Sequence, residues 1–303
     1  MTSRIATIVV TATTALTPCC AASQIVPTLE DLLTAQNRWR ADFGLSYFNQ
    51  EASGTAARGP VYIQVGQNII PVATGVIPKT RNVDSLVAYA GMRYGYSANT
   101  ELSFSGTGSY TNERTLLEGV DRLSNTSTNF STLSLAISHR FLKEHAGPGL
   151  VGYIETGAVE HSGDATDYFS SFTAGGTLYR TLDPVVLSIN ASYRLSAFRH
   201  RSAAARSGNV LMLTPQVGFA ANEVVTLYGG VNWQMQQAAE NVRDLPSQRS
   251  TQTALVFGIG LRASNRTTVS LSGNANISGR GGAQVTLGTL IKLGAMPERE
   301  RLQ

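Results

Sequence analysis

The stretch VVLSINASYRLSAF, Val185 to Phe198, alternates with a period of two. Val185, Leu187, Ile189, Ala191, Tyr193, Leu195 and Ala197 fall on one face of an extended chain, and Ser188, Asn190, Ser192, Arg194 and Ser196 on the other. Successive side chains of a strand point to opposite faces, so this run has an apolar side and a polar side. It also exceeds the usual strand of a soluble sheet, about 5–6 residues. Its two sides must meet two different solvents.

The alternation recurs along the chain. In Arg38–Gln50, Trp39, Ala41, Phe43, Leu45 and Tyr47 oppose Arg40, Asp42, Gly44 and Ser46. Val83–Tyr96, Thr100–Thr111, Leu133–Phe141, Phe172–Tyr179, Leu211–Phe219, Val225–Gln234, Leu255–Arg262, Val269–Ser278 and Gln284–Leu293 follow the same rule, and Leu150–Val159 follows it less cleanly. With the opening stretch this predicts about twelve strands, each near the ~9–11 residues of a membrane-crossing strand.

The connections sort by length. Ser97–Asn99, Lys143–Gly149, Leu182–Pro184, Ala221–Glu223 and Ser264–Arg266 are short and rich in turn-forming residues. Between them lie Glu51–Asn82, Asn112–Asn129, Glu160–Asp167, Arg199–Asn209 and Gln236–Thr251, which read as longer polar loops, while Gly279–Gly282 is brief. Short turns at one end and long loops at the other mark an outer-membrane barrel. The expected fold is therefore all-β: a transmembrane, up-and-down, antiparallel β-barrel over residues 38–295. Its apolar face meets lipid, and its polar face meets a lumen. A soluble β-sandwich or β-solenoid has no reason to sort its loops in this way.

Composition agrees. The chain has 303 residues, 42% hydrophobic and only 15% charged, against about 25% charged in soluble domains. Mean hydropathy is −0.04, and no run supplies the ~20 apolar residues of a spanning helix. The net charge of +4 is mild, and the basic residues are scattered singly, which argues against nucleic-acid binding.

The first 22 residues read as a signal peptide: Arg4, an apolar run Ile5–Leu16, then small residues up to Ala22. Cys19 and Cys20, the two cysteines of the chain, would leave with it. Residues 23–37 are expected to hold a short helix over Pro27–Asn37, with Thr28 as its cap and Leu29, Leu32 and Leu33 as one apolar stripe. It would lie against the periplasmic mouth or enter the lumen as a gate. Met296–Gln303 reads as a polar tail.

On this register the lumen carries Arg40, Arg93, Arg140, Arg194, Arg262 and Lys292 against Asp42, Glu101 and Glu155. These are the candidate site residues. They either tune a narrow pore toward anions or polar solutes, or pair in a ladder that stiffens the wall. Pro60–Lys79 is apolar for a loop and is expected to fold back as a constriction, to form a hairpin above the membrane or to pack on neighbouring loops. His139 falls on the lipid face, and the last strand carries no terminal aromatic residue. The histidines His139, His145, His161 and His200 sit in no catalytic motif, so no catalytic, metal-binding or cofactor-binding set is expected.

Asn37–Glu51 (NRWRADFGLSYFNQE) and Leu86–Arg114, with its RYG, short turn and EL strand start, resemble the outer-membrane barrels assigned as transporters of the meta-pathway of phenol degradation. They are also similar to the barrels of functional-amyloid exporters. The resemblance implies passage of small, often aromatic solutes or export of an amyloid-type polypeptide, with no catalytic residues. A further reading is a non-conducting surface barrel whose loops bind a partner. The implied setting is the outer membrane of a Gram-negative bacterium, with membrane lipid as the surrounding partner.

Overall fold

A computed structural model describes residues 33–294, except 58–60, 66–67, 73–75, 118–122, 146, 163–164, 198–204, 207, 239, 242–248 and 280. The strands in chain order are β1 (Trp39–Ala57), β2 (Val61–Val65), β3 (Asn68–Val72), β4 (Val76–Gly95), β5 (Thr100–Leu117), β6 (Leu123–Leu142), β7 (Gly149–Ser162) and β8 (Ala165–Leu182). They continue as β9 (Val185–Ser196), β10 (Ala205–Arg206), β11 (Val210–Ala220), β12 (Val225–Gln236), β13 (Glu240–Asn241), β14 (Ser250–Arg262), β15 (Thr267–Ser278) and β16 (Ala283–Leu293). Twelve of them close into one barrel in the order β1-β16-β15-β14-β12-β11-β9-β8-β7-β6-β5-β4. The small pairs β2–β3 and β10–β13 stand apart as two-stranded sheets.

Every barrel pairing is antiparallel, and β1 pairs both with β4 and with β16, so the sheet has no free edge over its paired height. Closure is what allows a sheet to stand in hydrocarbon, where no water satisfies an open ladder. Burial runs opposite to that of a soluble protein. On β9, Leu187 is 42% exposed and Leu195 46%, while Ser192 is 3% exposed. Phe43, Leu45, Phe104, Phe257 and Leu287 are likewise exposed, whereas Thr214, Ser270 and Thr286 are buried. The large apolar side chains therefore form the outer surface, and the small polar ones face inward.

The apolar band has marked ends. At the end carrying the short turns, Trp39 and Tyr94 meet with ring centroids 4.8 Å apart. At the opposite end an outward-facing polar network begins just above Tyr47. There Asp84 accepts from the Tyr47 hydroxyl at 2.6 Å and the Asn49 amide at 2.7 Å, and it pairs with Arg114. His139 lies on the outer face near the turn end, its Nδ1 3.0 Å from the Thr100 hydroxyl and its ring edge-on to Phe141. The turns themselves are locally fixed: Asn222 Oδ1 accepts from the Val224 and Val225 amides, and Ser264 Oγ from those of Arg266 and Thr267.

Several stretches expected as loops are strand instead. Glu51–Ala57 pairs with Val76–Asn82, Asn112–Thr115 with Leu123–Thr126, and Glu160–Ser162 with Ala165–Asp167. Beyond the apolar band both faces of a strand meet water, so hydrophobic alternation disappears while the hydrogen-bond ladder continues. Within Pro60–Lys79 the chain makes the β2–β3 hairpin, with Val61 opposite Val72. The barrel wall is uneven as a result: β1, β4, β5, β6 and β8 run 18 to 20 residues. By contrast, β9, β11, β12, β14, β15 and β16 run 11 to 13.

Of the helix expected over Pro27–Asn37, residues up to 32 lie outside the described residues, as do the signal peptide and the tail. Leu33–Asn37 is not helical: Gln36 forms a parallel bridge with Gly95. Pairing with a strand edge satisfies its backbone groups, which a lone turn of helix would leave open.

Candidate functional site

The inner wall is polar along most of its height, and one group of its charges gathers at the turn end. Lys292 lies opposite Arg40, and Arg40 opposite Arg93, across β16, β1 and β4. Arg140, near the end of β6, and Arg262, the last residue of β14, alternate with outward-facing Phe141 and Leu261 and so also point inward. Like charges directly opposite repel. Acids offset them: Arg93 Nε donates to Asp42 Oδ2 at 2.5 Å, and Arg93 Nη1 lies 3.7 Å from Glu101 Oε1. Asp42 is fully buried and Glu101 is 2% exposed. Removing one member of such a buried pair is costly, because the other charge is left unpaired.

Glu101 has a second task. Its Oε2 accepts from both the amide and the hydroxyl of Thr34, each at 2.6 Å. The segment just before β1 is thus held inside the turn-end mouth, with Leu33 and Thr34 both buried. The backbone completes the attachment: Asn37 N donates to Gly95 O at 2.7 Å, and Gly95 N to Arg38 O at 3.0 Å. Asn37 takes a left-handed conformation, φ 57°, as the chain turns into β1. Gly95 is the shelf under this segment. A Cβ there would collide with the carbonyl oxygens of Thr34 and Ala35.

On the same inner wall, tyrosines lie flat against glycines. A Cβ at Gly175 would sit 2.6 Å from the Tyr153 hydroxyl, and one at Gly91 2.6 Å from that of Tyr89. Gly149 and Gly258 make the same room for Tyr179 and Tyr228. The Tyr89 hydroxyl is hydrogen-bonded with Ser105 and lies within electrostatic reach of Arg93, Asp42 and Glu155.

No family model matches the chain, and no curated protein does. Solved structures do. An outer membrane channel from Pseudomonas putida F1 superposes with a TM-score of 0.53 at 10% identity, over 86% of this chain and 97% of that one. The chain folds as an outer-membrane β-barrel. The transport unit of the autotransporter AIDA-I from Escherichia coli gives 0.49 at 11% identity, over 88% and 93%. The P. putida toluene transporter TodX gives 0.44 at 10% identity, over 87% and 92%. At these identities the likeness is one of architecture.

Within the barrel, the residues singled out from the sequence separate into groups. Arg40, Asp42, Arg93 and Glu101 meet in one cluster, with Lys292 beside Arg40. Arg140 and Arg262 stand at the same end on other strands. Glu155 sits at mid-height between Ala136 and Thr173. Arg194 lies near the far end of β9, its Nη2 3.3 Å from Ser171 Oγ, and does not join the cluster. Of the three leucines, Leu29 and Leu32 lie outside the described residues, and Leu33 is buried at the mouth. Sequence alone missed Thr34, Gly95 and the tyrosine–glycine contacts. The available signal was a tyrosine on a polar face opposite a glycine, which register pairs but composition does not.

Proposed function

We propose that this barrel is an outer-membrane channel for passive passage of small polar solutes, with a preference for anions, and that Leu33–Asn37 narrows its periplasmic mouth. The observation that carries the reading is the inward row Lys292–Arg40–Arg93 at the turn end, with Arg140 and Arg262 at the same end on other strands. A low-dielectric wall lined by one sign of charge concentrates the opposite ion. The flat tyrosine faces along the wall suit planar, aromatic anions, in keeping with the resemblance to transporters of phenol degradation.

Purified barrel in planar bilayers under a salt gradient is expected to show discrete conductance steps and a reversal potential on the anion side. Lys292→Gln should move that potential toward zero. A bilayer without steps, or a cation-side potential, overturns the proposal. The orientation has its own check. A cysteine at Ser124, in the strand extension beyond the apolar band, should react with an impermeant reagent on intact cells, and one at Asn222 should not. The reverse labelling pattern would place the turns outside.

A further inference from the structure

The outer face at the turn end is aromatic or aliphatic at most strand positions, as at Trp39, Phe141 and Phe219, and at Tyr94 against Trp39. Arg180 breaks this girdle. It stands on β8 between the exposed Leu178 and Leu182 and opposite the exposed Leu187, so its side chain leaves the outer face. β8 ends two residues on, at Leu182, which at ~3.4 Å per residue sets Arg180 about 7 Å from the strand end, within reach of lipid headgroups. Among the described residues it has no hydrogen-bond or ion-pair partner. The carboxylate of the neighbouring turn, Glu144, is committed elsewhere: Oε1 accepts the Thr181 amide at 2.6 Å and Oε2 the Thr181 hydroxyl at 2.9 Å.

A groove of about 180 Å³ accompanies Arg180, lined also by Pro148, Leu178, Leu187 and Ile189. A cation above an apolar groove on a lipid-facing wall is complementary to one class of molecule in that setting. We propose that Arg180 and this groove form a phospholipid site. The guanidinium takes the headgroup phosphate through paired N–H donors, and the groove takes the first methylenes of an acyl chain. Arginine suits the task because its planar fork matches phosphate oxygens two at a time. An aliphatic or aromatic residue at 180 would match the rest of the girdle, and a charge facing lipid costs free energy that rises with depth. An anion at the headgroup level offsets that cost. The site is independent of whether the barrel conducts.

The test uses the full-length barrel in detergent and counts lipid retained per protein by native mass spectrometry. The wild type should retain one molecule of added phosphatidylglycerol. It should not retain diacylglycerol, which lacks the phosphate, and excess inorganic phosphate, which lacks the acyl chains, should not displace the lipid. Arg180→Gln should weaken retention roughly tenfold, and Arg180→Lys by less, with gel mobility of the folded form unchanged. Equal retention by Arg180→Gln and wild type overturns the proposal. Equal retention of diacylglycerol reduces the site to an apolar groove, and displacement by inorganic phosphate reduces it to an anion site; either result overturns it on the wild-type protein alone.

Discussion

Arginine in place of Ile189 should nearly abolish folding into liposomes, while arginine in place of its neighbour Ser188 should leave folded yield close to that of the wild type. Ile189 is 39% exposed on the outer face of β9, well inside the apolar band. A guanidinium there enters hydrocarbon, at a cost that rises with depth and reaches about 2–4 kcal/mol at the midplane. A cost of about 2 kcal/mol is already a factor of ~30 in the ratio of folded to unfolded barrel. Ser188 points the other way, toward the polar interior opposite Tyr179 and Gln216. Heat-modifiable gel mobility after refolding measures both. Comparable losses from the two substitutions would mean that the faces do not see lipid and water.

The second large effect concerns the mouth. Glu101→Gln removes a carboxylate that accepts two hydrogen bonds from Thr34, and hydrogen bonds to charged groups contribute about 1.5–3 kcal/mol. Gly95→Ala reaches the same segment from the opposite side, by placing a methyl group where the Thr34 and Ala35 carbonyls lie. Both should raise single-channel conductance or open probability while the folded barrel keeps its gel mobility. The pair separates two causes. If only Glu101→Gln changes the current, the wall charge matters and the segment does not. If neither does, Leu33–Asn37 lies in the mouth without limiting passage.

The barrel was legible because lipid and lumen impose opposite demands on alternate residues. All twelve alternating segments, including the blurred Leu150–Val159, are barrel strands, and their register gave the inward face directly. Legibility stopped where that contrast stops. Asn112–Thr115 and Ser124–Thr126 are polar on both faces, so nothing in their pattern distinguishes a paired ladder from a loop, although the chain pairs them. The stripe Leu29, Leu32 and Leu33 has helical spacing, yet Leu33 opens a segment bonded to Gly95, 59 residues from Gln36, and to Glu101, 67 residues from Thr34. Local spacing cannot report a partner at that distance. Thr34 gave no signal of its own, since its role depends on a carboxylate from another strand.

The uneven wall has a consequence of its own. Five strands exceed their shortest counterparts by at least seven residues, which at ~3.4 Å per residue is about 24 Å of added strand. Four of them, β6, β5, β4 and β1, are consecutive around the barrel, and β8 follows across the 14-residue β7, so the extra height is gathered on one side and the shorter strands on the other. A cylinder of even rim is the same from every bearing in the plane of the membrane. This barrel has a windward and a leeward side. With the turns in the periplasm, as proposed, a molecule drifting along the cell surface meets a tall hydrogen-bonded ladder from one direction and the short-stranded flank from the other.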